Sequence, residues 1–193
     1  GYTAGSWGGD CAADGSITLT LGQTATCTIT NDDIAPTLTL VKDVTNNDGG
    51  TAIIGDWTLD ATGPSTISGV TGAGAVTSAT VDAGLYGLSE TAVAGYTTTA
   101  ITCTGSDANG ADGLDLDPGE TVTCTFFNDD IGATLTLVKD VTNNNIGTAI
   151  NLDWTLTATG PATISGADGD PSISSAGVSA GNYTLTESGP ANY

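Results

Sequence analysis

Thr37-Leu38-Thr39-Leu40-Val41-Lys42-Asp43-Val44-Thr45-Asn46 returns unchanged at residues 134–143. Alternation along it puts Leu38, Leu40 and Lys42 on one side of an extended strand, and Leu135, Leu137 and Lys139 on the matching side of its twin. A lysine that continues an apolar face needs a partner, because lysine is almost never fully buried alone. Lys42 and Lys139 are the only basic side chains in 193 residues, set against 22 acidic ones. What each lysine meets inside its domain is therefore the central question of this sequence.

Working outward, the repetition extends well past the decamer. Cys27 and Cys124, Asn31 and Asn128, Trp57 and Trp154, Tyr86 and Tyr183, Glu90 and Glu187 are each 97 residues apart. Such a period defines architecture before any local reading does. Residues 35–131 hold one full unit, and residues 132–193 the opening part of another. Residues 1–34 hold the closing part of a unit. Gly1-Tyr2 and Asn192-Tyr193 occupy the repeat position of Gly95-Tyr96. Since the chain opens on Gly1 rather than Met, it reads as a matured product or a window on a longer chain.

Within the unit, short alternating runs are divided by turn signals. Thr37–Val44 is the first strand, and Asn46-Asn47-Asp48-Gly49-Gly50 turns it. Trp57–Ala61 follows, closed by Gly63-Pro64, and residues 65–82 read as short strands joined by glycines. Gly84–Glu90 puts Tyr86, Leu88 and Glu90 on one face; Glu120–Asn128 does the same for Val122, Cys124, Phe126 and Asn128. Thr and Val favour strands, Gly and Asn-Asp clusters favour turns, and no stretch has helical periodicity. The expectation is all-β, in tandem prealbumin-like or immunoglobulin-like β-sandwich domains.

Parity aims Lys42, Glu90 and Asn128 inward from three separate strands. Three polar groups in one apolar core are costly unless they satisfy one another. In these residues the unit resembles the Cna B-type domain, the prealbumin-like module of SpaA-type pilins and Gram-positive surface adhesins. The resemblance lies in Lys42 within Leu-Val-Lys-Asp, in Glu90 within Tyr-Gly-Leu-Ser-Glu-Thr with Ala94-Gly95-Tyr96 after it, and in Asn128 closing Thr-Phe-Phe-Asn. It covers 35–131 and both partial units, and it departs from many pilins in the paired cysteines and the lack of an evident sorting signal. It implies a spontaneous isopeptide bond between the Lys42 and Asn128 side chains, promoted by Glu90. Burial favours the neutral amine that attack requires and a protonated Glu90 able to polarise the carboxamide. A buried Lys–Glu ion pair capped by Asn, with no covalent bond, is the other arrangement these residues allow.

The second trio is divided. Lys139 and Glu187 lie in 132–193, whereas the matching Asn31 lies in 1–34. Either the chain is a window on a tandem array, or residues 1–34 of one subunit complete 132–193 of the next. The second case is strand complementation, a head-to-tail contact that hides exposed edges, does not close, and so generates filaments.

Cys11 with Cys27, and Cys103 with Cys124, each bracket a closing segment, which suits one disulfide per domain; free core thiols are the alternative. The lack of histidine and of Cys-x-x-Cys argues against a zinc site and leaves no Ser-His-Asp or Cys-His arrangement; a glycosidase-like carboxylate pair stays open, though no two acids recur outside turns and the Glu90 box. No enzyme and no cofactor are expected. A formal charge of −20 argues against nucleic acid and anionic membrane as partners, and no run is long enough to span a bilayer. Asp107-Ala-Asn-Gly-Ala-Asp112-Gly-Leu-Asp115-Leu-Asp117 resembles a calcium loop that misses the EF-hand pattern by one residue; it reads as Ca2+ ligation or as a solvated acidic turn. Asp32-Asp33 and Asp129-Asp130, at unit junctions, read as turn caps or linker stiffeners. The functional expectation is an extracellular structural subunit of a filament or stalk whose partner is itself, head to tail. The alternative is the repeat region of a cell-surface adhesin that spaces a ligand-binding tip.

Overall fold

A computed structural model describes residues 1–105, 113–191 and 193, and it is all-β and sandwich-like. Two compact units arise: residues 1–43, 54–92 and 100–127 form the first, and residues 44–53, 93–99 and 128–193 the second.

The first unit contains a hairpin of β1 (Tyr2–Gly9) and β2 (Cys27–Asp33), and most of two four-stranded sheets, three of whose strands run past residues 43 and 127 or start before residue 100 and so have an end in the second unit. One sheet has β6 (Ala79–Thr80), β3 (Thr37–Thr45), β10 (Thr121–Asp130) and β8 (Tyr96–Thr104), in that order. The other has β5 (Thr66–Gly69), β4 (Leu59–Thr62), β7 (Gly84–Glu90) and β9 (Leu114–Leu116). Their inner faces alternate in and out as the sequence pattern requires. Leu38, Leu40, Trp57, Leu59, Val122, Cys124 and Phe126 are all 0 % exposed. Thr37 N donates to Glu120 O at 2.8 Å, and five residues on Lys42 Nζ donates to Phe126 O at 3.2 Å. The partners advance in the same direction along both chains, so β3 and β10, the opening and closing strands of the repeat, run side by side and parallel.

β6 holds β3 only at Thr37 and Leu38; beyond them β10 is the neighbour that carries β3 on to Thr45. β8 and β9 carry too much Thr and Asp to stand out in the sequence, and pairing rather than propensity makes them strands.

β2, Cys-Thr-Ile-Thr-Asn-Asp-Asp, has nearly the sequence of the end of β10, Cys-Thr-Phe-Phe-Asn-Asp-Asp. Its surroundings differ. In β10 every second residue is buried, whereas β2 pairs with β1 alone and is exposed from Thr28 to Asp33. Ile29, at the repeat position of buried Phe126, stands 40 % exposed, and Trp7 beside it on β1 41 %.

The second unit pairs β11 (Ala133–Leu135) with β14 (Ala176–Val178), and stacks β13 (Thr163–Gly166), β12 (Thr155–Thr159) and β15 (Thr184–Ser188) in a second sheet. Leu137, Ala149, Trp154, Leu156, Ala158 and Ile173 form its core. The strand expected over 134–143 ends at Leu135. β14 reaches only from Ala133 to Leu135, as β6 reaches only the start of β3, and among the described residues no counterpart of β10 continues the ladder. Val138 and Leu185 are accordingly 74 % and 63 % exposed.

Phe126→Ala is expected to destabilise the sandwich by about 3–5 kcal/mol through the cavity it leaves. Ile29→Ala, at the same repeat position, should change the stability of dilute subunits by less than about 0.5 kcal/mol. Urea unfolding of both variants checks this.

Candidate functional site

Lys42 crosses the first sandwich. β3 places it on the inner face, and Glu90, the last residue of β7, approaches from the facing sheet where it is registered with Leu59. The ammonium lies 3.0 Å from Glu90 Oε2, and the two side chains are 0 % and 7 % exposed. Nζ also donates to the Phe126 carbonyl and sits 4.8 Å from the centroid of the Trp57 ring, an aromatic face that favours a cation. Removal from water is the largest influence on the Lys42 pKa and pulls it below its ordinary value of 10.5, against the hydrogen bond and charge of Glu90 and the charge of Asp43.

Asn128 lies on β10, two residues beyond Phe126 and on the same buried face. It is 5 % exposed, and its Oδ1 has no hydrogen-bond partner among the described residues. A buried acceptor left unused costs about 1–3 kcal/mol. The first sandwich thus encloses an amine driven towards its neutral form and set against a carboxylate. On the neighbouring strand lies a carboxamide with spare bonding capacity.

The second unit repeats half of this. Lys139 Nζ lies 2.8 Å from Glu187 Oε2 and 4.6 Å from the Trp154 ring centroid. These side chains are 17 % and 50 % exposed, so the pair is wet where its twin is dry. Asn31 is on β2, exposed with the rest of that face.

The cysteines pair as expected, Cys11 with Cys27 and Cys103 with Cys124. Of the calcium-loop residues, Asp107 and Asp112 lie outside the described residues; Asp115 and Asp117 flank Leu116 at the end of β9. Among the described residues no group of three His, Cys, Asp or Glu side chains could hold a metal, and no helix is long and apolar enough to cross a membrane.

By sequence the Asp129-Asp130 pair reads as turn caps or linker stiffeners, with nothing to separate its members; Asp130 is the one that caps a turn. Its carboxylate is 7 % exposed and accepts from the backbone N–H of Asn47 at 2.8 Å, Asp48 at 2.9 Å and Gly50 at 2.6 Å. Burial works against its charge, but the amides of Gly50, Asp48 and Asn47 outweigh that and hold the carboxyl below its ordinary value of 3.8. Tyr96 Oη braces the same loop, donating to Asn46 Oδ1 and accepting from Ala52 N. The parity that marks Asn128 as inward continues to Asp130 and tells it from Asp129.

A family model described as a prealbumin-like fold domain, of the SpaA type, matches residues 33–126 and again 130–193. No curated protein and no solved structure matches the chain.

Glu90→Ala should destabilise the first sandwich by about 3–5 kcal/mol, since it strands a buried ammonium, whereas Glu187→Ala should cost less than about 1 kcal/mol. A pH series supplies the sign. In an Asn128→Ala chain, which lacks the carboxamide, the unfolded state binds the Lys42 proton more tightly than the folded one. Stability should therefore rise with pH from the lowered folded value up to 10.5, and the rise should vanish when Lys42→Met is added.

Proposed function

Because the chain belongs to the SpaA-type prealbumin-like fold domain family, whose domains are structural, we propose that it is the subunit of an extracellular filament or stalk, joined head to tail by strand complementation. The supporting observation is the contrast between β2 and β10: one amphipathic sequence, buried where β3 lies beside it and bare where no such strand does. Two openings follow one another along residues 136–142 of the second unit. The first, about 380 Å³, is lined by Leu137, Val138, Leu156, Leu185 and Glu187, and the second, about 160 Å³, by Lys139, Val141, Trp154 and Tyr193. β2 of the next copy fits there as β10 fits along β3, with Ile29 towards the Lys139 ammonium and Asn31 beyond it. Both partners are half-finished sheets, so the exchange pairs backbone that would otherwise face water.

Each trio then closes covalently. The neutral lysine amine attacks Cγ of the asparagine, the Nζ–Cγ bond forms and the Cγ–Nδ2 bond breaks. The glutamate carries the amine's proton to the departing nitrogen, which leaves as ammonia. Lys42 and Asn128 close within a subunit, with Glu90 as the acid. Lys139 and Asn31 close between subunits, with Glu187 in that role once the incoming strand has dried it. Strands held in register supply the effective concentration for an otherwise slow amide exchange. Two disulfides are in keeping with an oxidising, extracellular setting.

Electron microscopy and sedimentation of the purified chain test assembly: filaments that lengthen with concentration are expected, and Ile29→Asp should abolish them. Monomers at every concentration would contradict it. Intact mass tests the chemistry, the expected result being one ammonia lost from the isolated subunit and one more for every seam in the filament. A full mass in both states would leave the assembly and remove the bonds.

A further inference from the structure

We propose that the loop Asn144-Asn145-Ile146-Gly147 is a preformed carboxylate receptor, and that Asp33 of a second copy fills it, fixing the register of the exchanged strand. This rests on the strand-complementation reading above.

The loop is the repeat of Asn47-Asp48-Gly49-Gly50, whose amides hold Asp130. It keeps the same shape at a cost. Gly49 has φ 91°, and Ile146, in its place, has φ 63°, a conformation that a β-branched residue adopts only under constraint. Its bracing is repeated as well: Tyr193 Oη donates to Asn143 Oδ1 at 2.9 Å and accepts from Ala149 N at 3.0 Å, as Tyr96 does with Asn46 and Ala52. Thr142, Asn143, Asn144, Asn145, Gly147 and Tyr193 enclose a pocket of about 220 Å³. Among the described residues no carboxylate accepts from the Asn144, Asn145 or Gly147 amides. The one change of charge in the loop, Asn145 where its sister has Asp48, removes an acidic side chain from beside the incoming anion.

Asp33 has the matching features. It ends β2, 97 residues before Asp130, and is exposed. The chain leaves both strands alike, with Ile34 N donating to Gly1 O at 2.9 Å and Ile131 N to Gly95 O at 2.8 Å. Asp32 points to the other face, so a slip of one residue would present the wrong side chain and turn Ile29 and Asn31 outward. A carboxylate that must meet three amides therefore acts as a register stop for the whole strand. Hydrogen bonds to a charged group are individually strong enough for this.

The test compares Asp33→Asn with Asp32→Asn in the full chain, reading the protein concentration at which half the material pellets in a fixed time. Both sites are exposed in the subunit, so the urea midpoints of both should match the wild type. Loss of the charged contacts should raise the concentration for Asp33→Asn roughly tenfold to a hundredfold, with Asp32→Asn within about twofold of the wild type. Equal behaviour of the two variants, with the wild type still forming filaments, would overturn the clasp and leave the exchange standing. A wild type that never pellets would overturn the exchange and the clasp together.

Discussion

The pairing of β3 with β10 is the constraint on which the rest depends. It sets the opening strand of a repeat parallel to its closing strand, and from it follow the length of β3, the burial of Phe126 and the acceptor for the Lys42 ammonium. It also makes the fold divisible. A sandwich closed by its last strand can take that strand from elsewhere, because the backbone bonds and the inward side chains come from a linear segment. The second unit, which has no such closing strand among the described residues, shows the consequence: its opening strand stops at Leu135, and Lys139 pairs with Glu187 at the edge of solvent rather than in a dry core.

Charge bears on how such a subunit associates. With a formal net charge of −20, two copies repel one another, and unspecific attraction between surfaces is not available. Contact has to come from directional features that outweigh the repulsion. Strand ladders, apolar side chains on one parity and a carboxylate seated on backbone amides are of this kind. Buried Lys42 and half-buried Lys139 do little to balance the outer field, which leaves the exterior acidic.

Much of this was legible in the residues. The inward aim of Lys42 and Asn128, the closeness of Glu90 and both disulfides follow from alternation, the 97-residue period and cysteine placement. Other features were not. β8, with its Tyr-Thr-Thr-Thr-Ala-Ile-Thr-Cys-Thr sequence, has almost no apolar face and becomes a strand because β10 offers it an edge. The early end of β11 was hidden because residues 134–143 are identical to 37–46, and what separates them is the neighbouring strand that only β3 has among the described residues. Asp129-Asp130 read as a turn cap or linker stiffener, but which acid caps and which turn it meets emerge only when the amides of residues 47, 48 and 50 are seen to converge on Asp130.

The most direct measurement of the central claim is hydrogen exchange at the backbone amides of residues 28–33 and 136–143, in dilute subunits and in concentrated material. Strand exchange predicts fast exchange in both segments when dilute and strong protection of both on assembly, with β10 protected throughout. Segments that stay fast in assembled material would show that the copies are joined by some other surface.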